Sequence, residues 1–220
     1  DESSDKWTLS GTAAPSAIIT AATFEASNVF RTGDTGTSSI EAKDHSTFGG
    51  GNYSFFVGHG QSASTANYTA IIGGQSGKTS ANHAVVFGGE ENHASGIRSA
   101  AIGGYQNLPK AANAAILGGA YNTASAVYST VVGGANNKAT SSYSSIVGGN
   151  YSTASANYAI TLGGVSGTSS GTRSAVIGGE NNTASAANTV VIGGSNITGS
   201  LANTVYVPNF HVTGTSTLTG

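Results

Sequence analysis

The chain has 220 residues, 33 of them glycine, with 8% charged residues and a formal net charge of -2. A balance this weak offers no electrostatic attraction to nucleic acid or to an anionic membrane surface. There is no cysteine, which excludes disulfides and thiol chemistry, and no apolar run approaches the ~20 residues of a membrane-spanning helix.

Residues 1–51 form the first predicted segment. They hold seven of the ten acidic residues (Asp1, Glu2, Asp5, Glu25, Asp34, Glu41 and Asp44) and the only tryptophan, Trp7. Two β-like runs, Trp7-Thr8-Leu9 and Ala17-Ile18-Ile19-Thr20, lie among turn residues, so a small irregular β cap or a joining piece of a fibre is expected here. No methionine occurs and no signal-peptide pattern opens the chain. The expectation is a processed product or a fragment of something longer.

From residue 52 to 201 one glycine recurs every fifteen residues: Gly58, Gly73, Gly88, Gly103, Gly118, Gly133, Gly148, Gly163, Gly178 and Gly193. Ten copies of one short unit define a repeat architecture. Fifteen residues are too few for a helix plus a strand, so each unit is predicted to be one coil of a parallel β-solenoid, with rungs ~4.8 Å apart. From Gly73 onward a second glycine follows the first, which predicts a structural turn at Gly73, Gly88, Gly103, Gly118, Gly133, Gly148, Gly163, Gly178 and Gly193, where φ is positive or backbones approach closely.

Before each glycine stands a strand that is apolar on both sides. The residue just before it is large in every coil (Ile72, Phe87, Ile102, Leu117, Val132), and the one before that is nearly as apolar (Ile71, Val86, Ala101, Ile116, Val131). Neighbouring strand residues point to opposite faces. One column therefore fills the coil and the other needs a cover; the sequence leaves open which does which. The second half of the coil alternates small with polar, as in Thr123-Ala124-Ser125-Ala126, which predicts alanines inside and Thr and Ser outside. Residues 202–220 are the terminal coil and exit segment. Pro208 replaces the glycine there, removing a ladder donor, so the stack is expected to stop or change course.

Two polar columns are candidate binding or structural ladders. Five residues before each glycine come Tyr53, Tyr68, His83, Arg98, Asn113, Tyr128, Tyr143, Tyr158, Arg173 and Asn188. Flat aromatic and planar polar groups suit sugars, so Tyr128, Tyr143, Tyr158 and Arg173 are the candidate glycan contacts; the competing reading is a corner where Tyr packs its ring and keeps its hydroxyl wet. Asn92, Asn107, Asn122, Asn137 and Asn182, four after the glycine, are expected to bond coil to coil. Catalysis finds no constellation. Glu90 and Glu180 share a column but lie six coils apart, roughly 29 Å at rung spacing, and the histidines lack metal-ligand spacing. No catalytic, cofactor or metal site is expected, and no cofactor.

The segments Tyr143-Ser144-Ser145-Ile146-Val147-Gly148, Arg173-Ser174-Ala175-Val176-Ile177-Gly178 and Asn188-Thr189-Val190-Val191-Ile192-Gly193 resemble the head repeat of trimeric autotransporter adhesins, which also occurs in phage tail and head fibres. The resemblance spans residues 52 to 207. It implies a left-handed parallel β-roll, a homotrimer, intertwined or side by side, whose apolar stripe lines the common axis, and an extracellular, cell-surface or virion location. The implied role is a structural module of a fibre or adhesin, touching host-cell glycans or a surface receptor without nucleic-acid binding or membrane insertion. The usual repeat of that family is nearer fourteen residues and lacks the regular second glycine, and its membrane barrel, stalk and neck have no counterpart here. The alternative is a monomeric solenoid binding ice or an ordered polysaccharide through its Thr and Ser rows, although Lys78, His93, Leu108 and Lys138 interrupt them.

Overall fold

The computed structural model describes residues 30–32, 40–42, 53–63, 66–209, 211 and 213. The runs at Trp7 and Ala17 lie outside these residues. Within them the chain is a parallel β-solenoid of about ten coils, with no helix. Phe30–Thr32 pairs antiparallel with Ile40–Ala42, which in turn pairs in parallel with Phe55–His59. Ten more parallel rungs then follow in strict order to Val205–Tyr206, which completes a 13-stranded sheet.

Each coil contributes to three ladders because its fifteen residues turn three corners. The three-residue strands, such as Val85–Phe87 and Ala100–Ile102, pair residue for residue with those fifteen positions on. The two-residue strands, such as Thr123–Ala124 and Lys138–Ala139, do the same on a second face. Single-residue bridges, Glu90 to Tyr105 to Ala120, form the third. One coil shows how the bonds alternate in direction: Val85, Glu90 and His93 donate forward to the carbonyls of Ser99, Gly104 and Asn107, while Gly88 and Glu91 donate back to Ile72 and Gln75, all at 2.8–2.9 Å.

Tight corners require left-handed backbone, and four residues per coil supply it. In one coil these are Tyr128 (φ 60), Gly133 (φ 69), Gly134 (φ 75) and Asn136 (φ 56). The two glycines differ in what fixes them. A Cβ on Gly133 would meet nothing within 4 Å, whereas on Gly134 it would fall 2.2 Å from the carbonyl oxygen of Gly149 in the next coil. The first glycine is thus required by φ alone and the second by φ and by backbone contact. The Gly58 corner departs from the rest: Val57 pairs with Ile72 but His59 pairs with Gln75, so this corner is one residue short.

The interior is thin. Its large residues are Ile71, Val86, Ile116, Val131, Ile146, Val176 and Val191, all at most 1% exposed, facing Ala94, Ala124, Ala139, Ala154 and Ala184 of the short strands. A buried Val or Ile contributes roughly 1.5–3 kcal/mol, so the core delivers one such increment in each coil except those of Ala101 and Thr161. Where Thr161 replaces the aliphatic residue, Ser169 replaces the alanine opposite and the two hydroxyls bond at 3.0 Å. The polar pair satisfies itself.

Proline interrupts one ladder. Pro109 occupies an inward short-strand position; it accepts from Ser95 N–H at 3.0 Å but has no hydrogen to donate. The short-strand ladder accordingly divides into a three-stranded sheet before it and a seven-stranded sheet from it onward. At the last rung Tyr206 takes the inward column and packs against the core of Val176, Ala184 and Val191. Its hydroxyl accepts from the N–H groups of Leu201 (3.0 Å) and Ser200 (3.3 Å).

Candidate functional site

The alternation along the long strand assigns the two apolar columns. Ile71 through Val191 point inward, and the neighbouring column points out: Ile72, Phe87, Ile102, Leu117, Val132, Val147, Leu162, Ile177 and Ile192 are each 36–45% exposed. Nine rungs at ~4.8 Å make an apolar stripe ~38 Å long. The inward column is nearly as apolar, with Ala101 and Thr161 its two departures.

The aromatic column lies at a left-handed corner, with φ between 55° and 61° at every position from Tyr53 to Asn203. Tyr128, Tyr143 and Tyr158 stack with centroids 4.9 Å apart and planes within 12°. A second stack runs through Tyr53, Tyr68 and His83 at 5.1 and 4.9 Å. In each stack the faces of the rings cover one another, leaving edges and hydroxyls for solvent. Arg173 stands on the rung after Tyr158. The four sequence candidates therefore share one edge of the rod, and a sugar meets there a row of phenolic hydroxyls, with ring faces free only at the ends of the stack.

The asparagine column is internal, which the sequence reading did not foresee. Asn92, Asn107, Asn122, Asn137 and Asn182 are fully buried. Each Oδ1 of the first four accepts from the backbone N–H one coil on, at Asn107 (2.9 Å), Asn122 (3.2 Å), Asn137 (3.0 Å) and Ser152 (2.9 Å). The Nδ2 atoms donate to glycine-corner carbonyls of the following coil, as Asn122 does to Gly134 at 3.0 Å. The amide reproduces a backbone peptide where the chain turns. The signal was available: asparagine at one inward-facing phase, between alternating columns, is a buried amide or nothing.

Charge is segregated around the coil. Among the described residues the lysines Lys78, Lys110 and Lys138, with His93, all stand on the short-strand face, whereas Glu90, Glu91 and Glu180 stand on the bridge and the turn after the glycines. His93 bonds Ser80 Oγ at 2.6 Å. Burial holds its imidazole below the ordinary histidine value, with Lys78 and Lys110 adding to the effect. Glu91 accepts from Gln106 Nε2 at its own corner. No group of three or more His, Asp or Glu side chains that could hold a metal occurs among the described residues.

Fold and columns together define a parallel β-solenoid with an outward apolar stripe, a stacked aromatic edge and a cationic hydroxyl face. No protein-family model matches the chain, and a search of curated proteins finds no significant relative.

Proposed function

We propose that this chain is a non-enzymatic β-roll module of an extracellular homotrimeric fibre, of the kind built by trimeric autotransporter heads and phage fibres. Its work is mechanical: a stiff rod that holds a binding surface away from its anchor. The observation carrying this reading is the outward Ile72-to-Ile192 column. An unbroken apolar stripe ~38 Å long exceeds what soluble monomers leave uncovered, and three copies packed about an axis cover it on every chain at once. The segments ending at Gly148, Gly178 and Gly193 resemble the repeat of those heads, and the ladders resist bending because each rung is bonded on three faces. Host-cell glycans or a receptor meet the rod on its aromatic edge or on modules beyond it.

Sedimentation velocity on the purified chain tests the assembly. The expected species is three times the 21.6 kDa chain. Leu117→Lys with Val147→Lys, both on the outer column, should release folded monomers with the circular dichroism of the parent. A wild-type chain that stays monomeric and soluble at high concentration refutes the reading, and so does a double variant that remains trimeric.

A further inference from the structure

The two outward columns of the short strands carry a pattern that the rod role does not use. They are two of fifteen positions, yet they hold every lysine of the described coils and not one acidic residue. Lys78 and His93 are register partners on adjacent rungs. Lys110 stands one rung beyond His93 and two residues along, so two ammonium groups and a titratable imidazole share one patch with Ser80 and Ser95 between them. From Thr123 to Ser185 the same columns continue as in-register hydroxyls, Thr123, Ser125, Thr153, Ser155 and onward, with Lys138 set among them. The inward residue between the two columns is buried in each coil from Thr79 to Gly199, so the outward groups stand on one face.

We propose that this face binds an anionic polysaccharide laid along the rod, its sulfate or carboxylate groups on Lys78, His93 and Lys110 and its hydroxyls on the Thr and Ser rows. The inference holds for the single chain and does not rest on the trimer. No Tyr, Phe or Trp stands in either column, so attraction here is charge and hydrogen bonding, and a neutral sugar has little to gain. A lone inorganic anion uses only the patch of Lys78, His93 and Lys110; a linear polymer uses Lys138 and the hydroxyl rows as well. The histidine couples the site to pH. Lys78 and Ser80 face it from the coil before and Lys110 from the coil after, no carboxylate among the described residues faces it, and burial together with the two lysines holds its pKa below the ordinary histidine value. An anion between them favours the imidazolium, so the His93 pKa rises on binding and affinity rises as pH falls.

Biolayer interferometry of the full chain at low salt tests the proposal with dextran sulfate, alginate, unmodified dextran and a single-stranded oligonucleotide as probes. The sulfated or the uronate polymer should bind, the more tightly bound identifying the preferred anion, and unmodified dextran should not. Lys78→Thr with Lys110→Ser installs residues other coils carry in those columns, and should weaken binding about tenfold, each exposed charge contributing up to ~1 kcal/mol. Arg98→Asn, which removes a charge from a different edge, should change it less than about twofold by the same scale. Circular dichroism of each variant reports that it is folded. Binding to neither polyanion overturns the proposal, as do equal losses from the lysine and arginine variants. An oligonucleotide held as tightly as the polysaccharides overturns it too, by showing a surface that reads charge alone.

Discussion

Asn122→Ala removes one amide from the interior and leaves its partners in place. Asn122 is fully buried; its Oδ1 receives the Asn137 N–H at 3.0 Å and its Nδ2 reaches the Gly134 carbonyl at 3.0 Å. Alanine leaves the Asn137 N–H buried without a partner, while the Gly134 carbonyl keeps the Ala120 N–H at 3.0 Å. One orphaned donor costs about 1–3 kcal/mol, which at ~2–4 °C per kcal/mol for a chain of this size lowers Tm by roughly 2–12 °C. Thr123→Ala, one residue on but outward, should stay within ~0.5 kcal/mol of the parent. Differential scanning calorimetry compares the two, and hydrogen exchange at Asn137 localises the loss, since a solenoid coil contacts only its neighbours. The converse substitution is Ser152→Asn. Ser152 interrupts the ladder with a buried hydroxyl that has no partner, and an amide there should raise stability by about 1 kcal/mol. An Asn122→Ala variant no less stable than Thr123→Ala would show that the amides merely fill space.

The paired glycines should differ in kind. Gly134→Ala forces a methyl onto the Gly149 carbonyl and should collapse expression or cost more than about 3 kcal/mol, while Gly133→Asn, in open space at a φ asparagine tolerates, should cost under ~1 kcal/mol; equal urea midpoints would refute the distinction. At Gly133→Val only the backbone strain acts, about 1–2 kcal/mol, still above the surface change at Thr123. His93 titrates below its unfolded value, so the unfolded chain binds the extra proton as pH falls through the ordinary range near ~6.5, and stability is present above that range and lost below it. Urea midpoints between pH 7.5 and 5 should fall more for the parent than for His93→Thr, and parallel profiles would count against the assignment.

The coil period, the strand before each glycine and the inward alanines were legible because each is a column property, and a column is visible in sequence as soon as the period is known. Which of two adjacent aliphatic columns faces inward was not legible, because Ile71 and Ile72 are the same side chain and only the closure of the coil distinguishes them. A corner at the Tyr128 column was one of the two readings of the sequence, but the left-handed backbone there and at Asn136 was not legible. Tyr, Arg and Glu are poor residues for positive φ, about 1–2 kcal/mol each, and stacking of ~0.5–1.5 kcal/mol per ring offsets part of this where three aromatics follow in succession. The hint lay in the asparagines that share those columns, Asn113, Asn188, Asn136 and Asn181. The shortened corner after Val57 was hidden because Gly58 keeps its phase in sequence while the pairing around it slips by one.

The bonding scheme between rungs has a consequence for how such a rod changes size. Forward donors and backward donors meet the same class of acceptor at each step, the Ile40–Ala42 strand pairs with the first coil strand, and the Tyr206 plug packs on the last coils. Duplicating or deleting fifteen residues between Gly73 and Gly148 therefore leaves the rung-to-rung backbone bonding with equivalent partners and alters the rod by ~4.8 Å. Length becomes an inherited integer, set by copy number and independent of the chemistry at either tip.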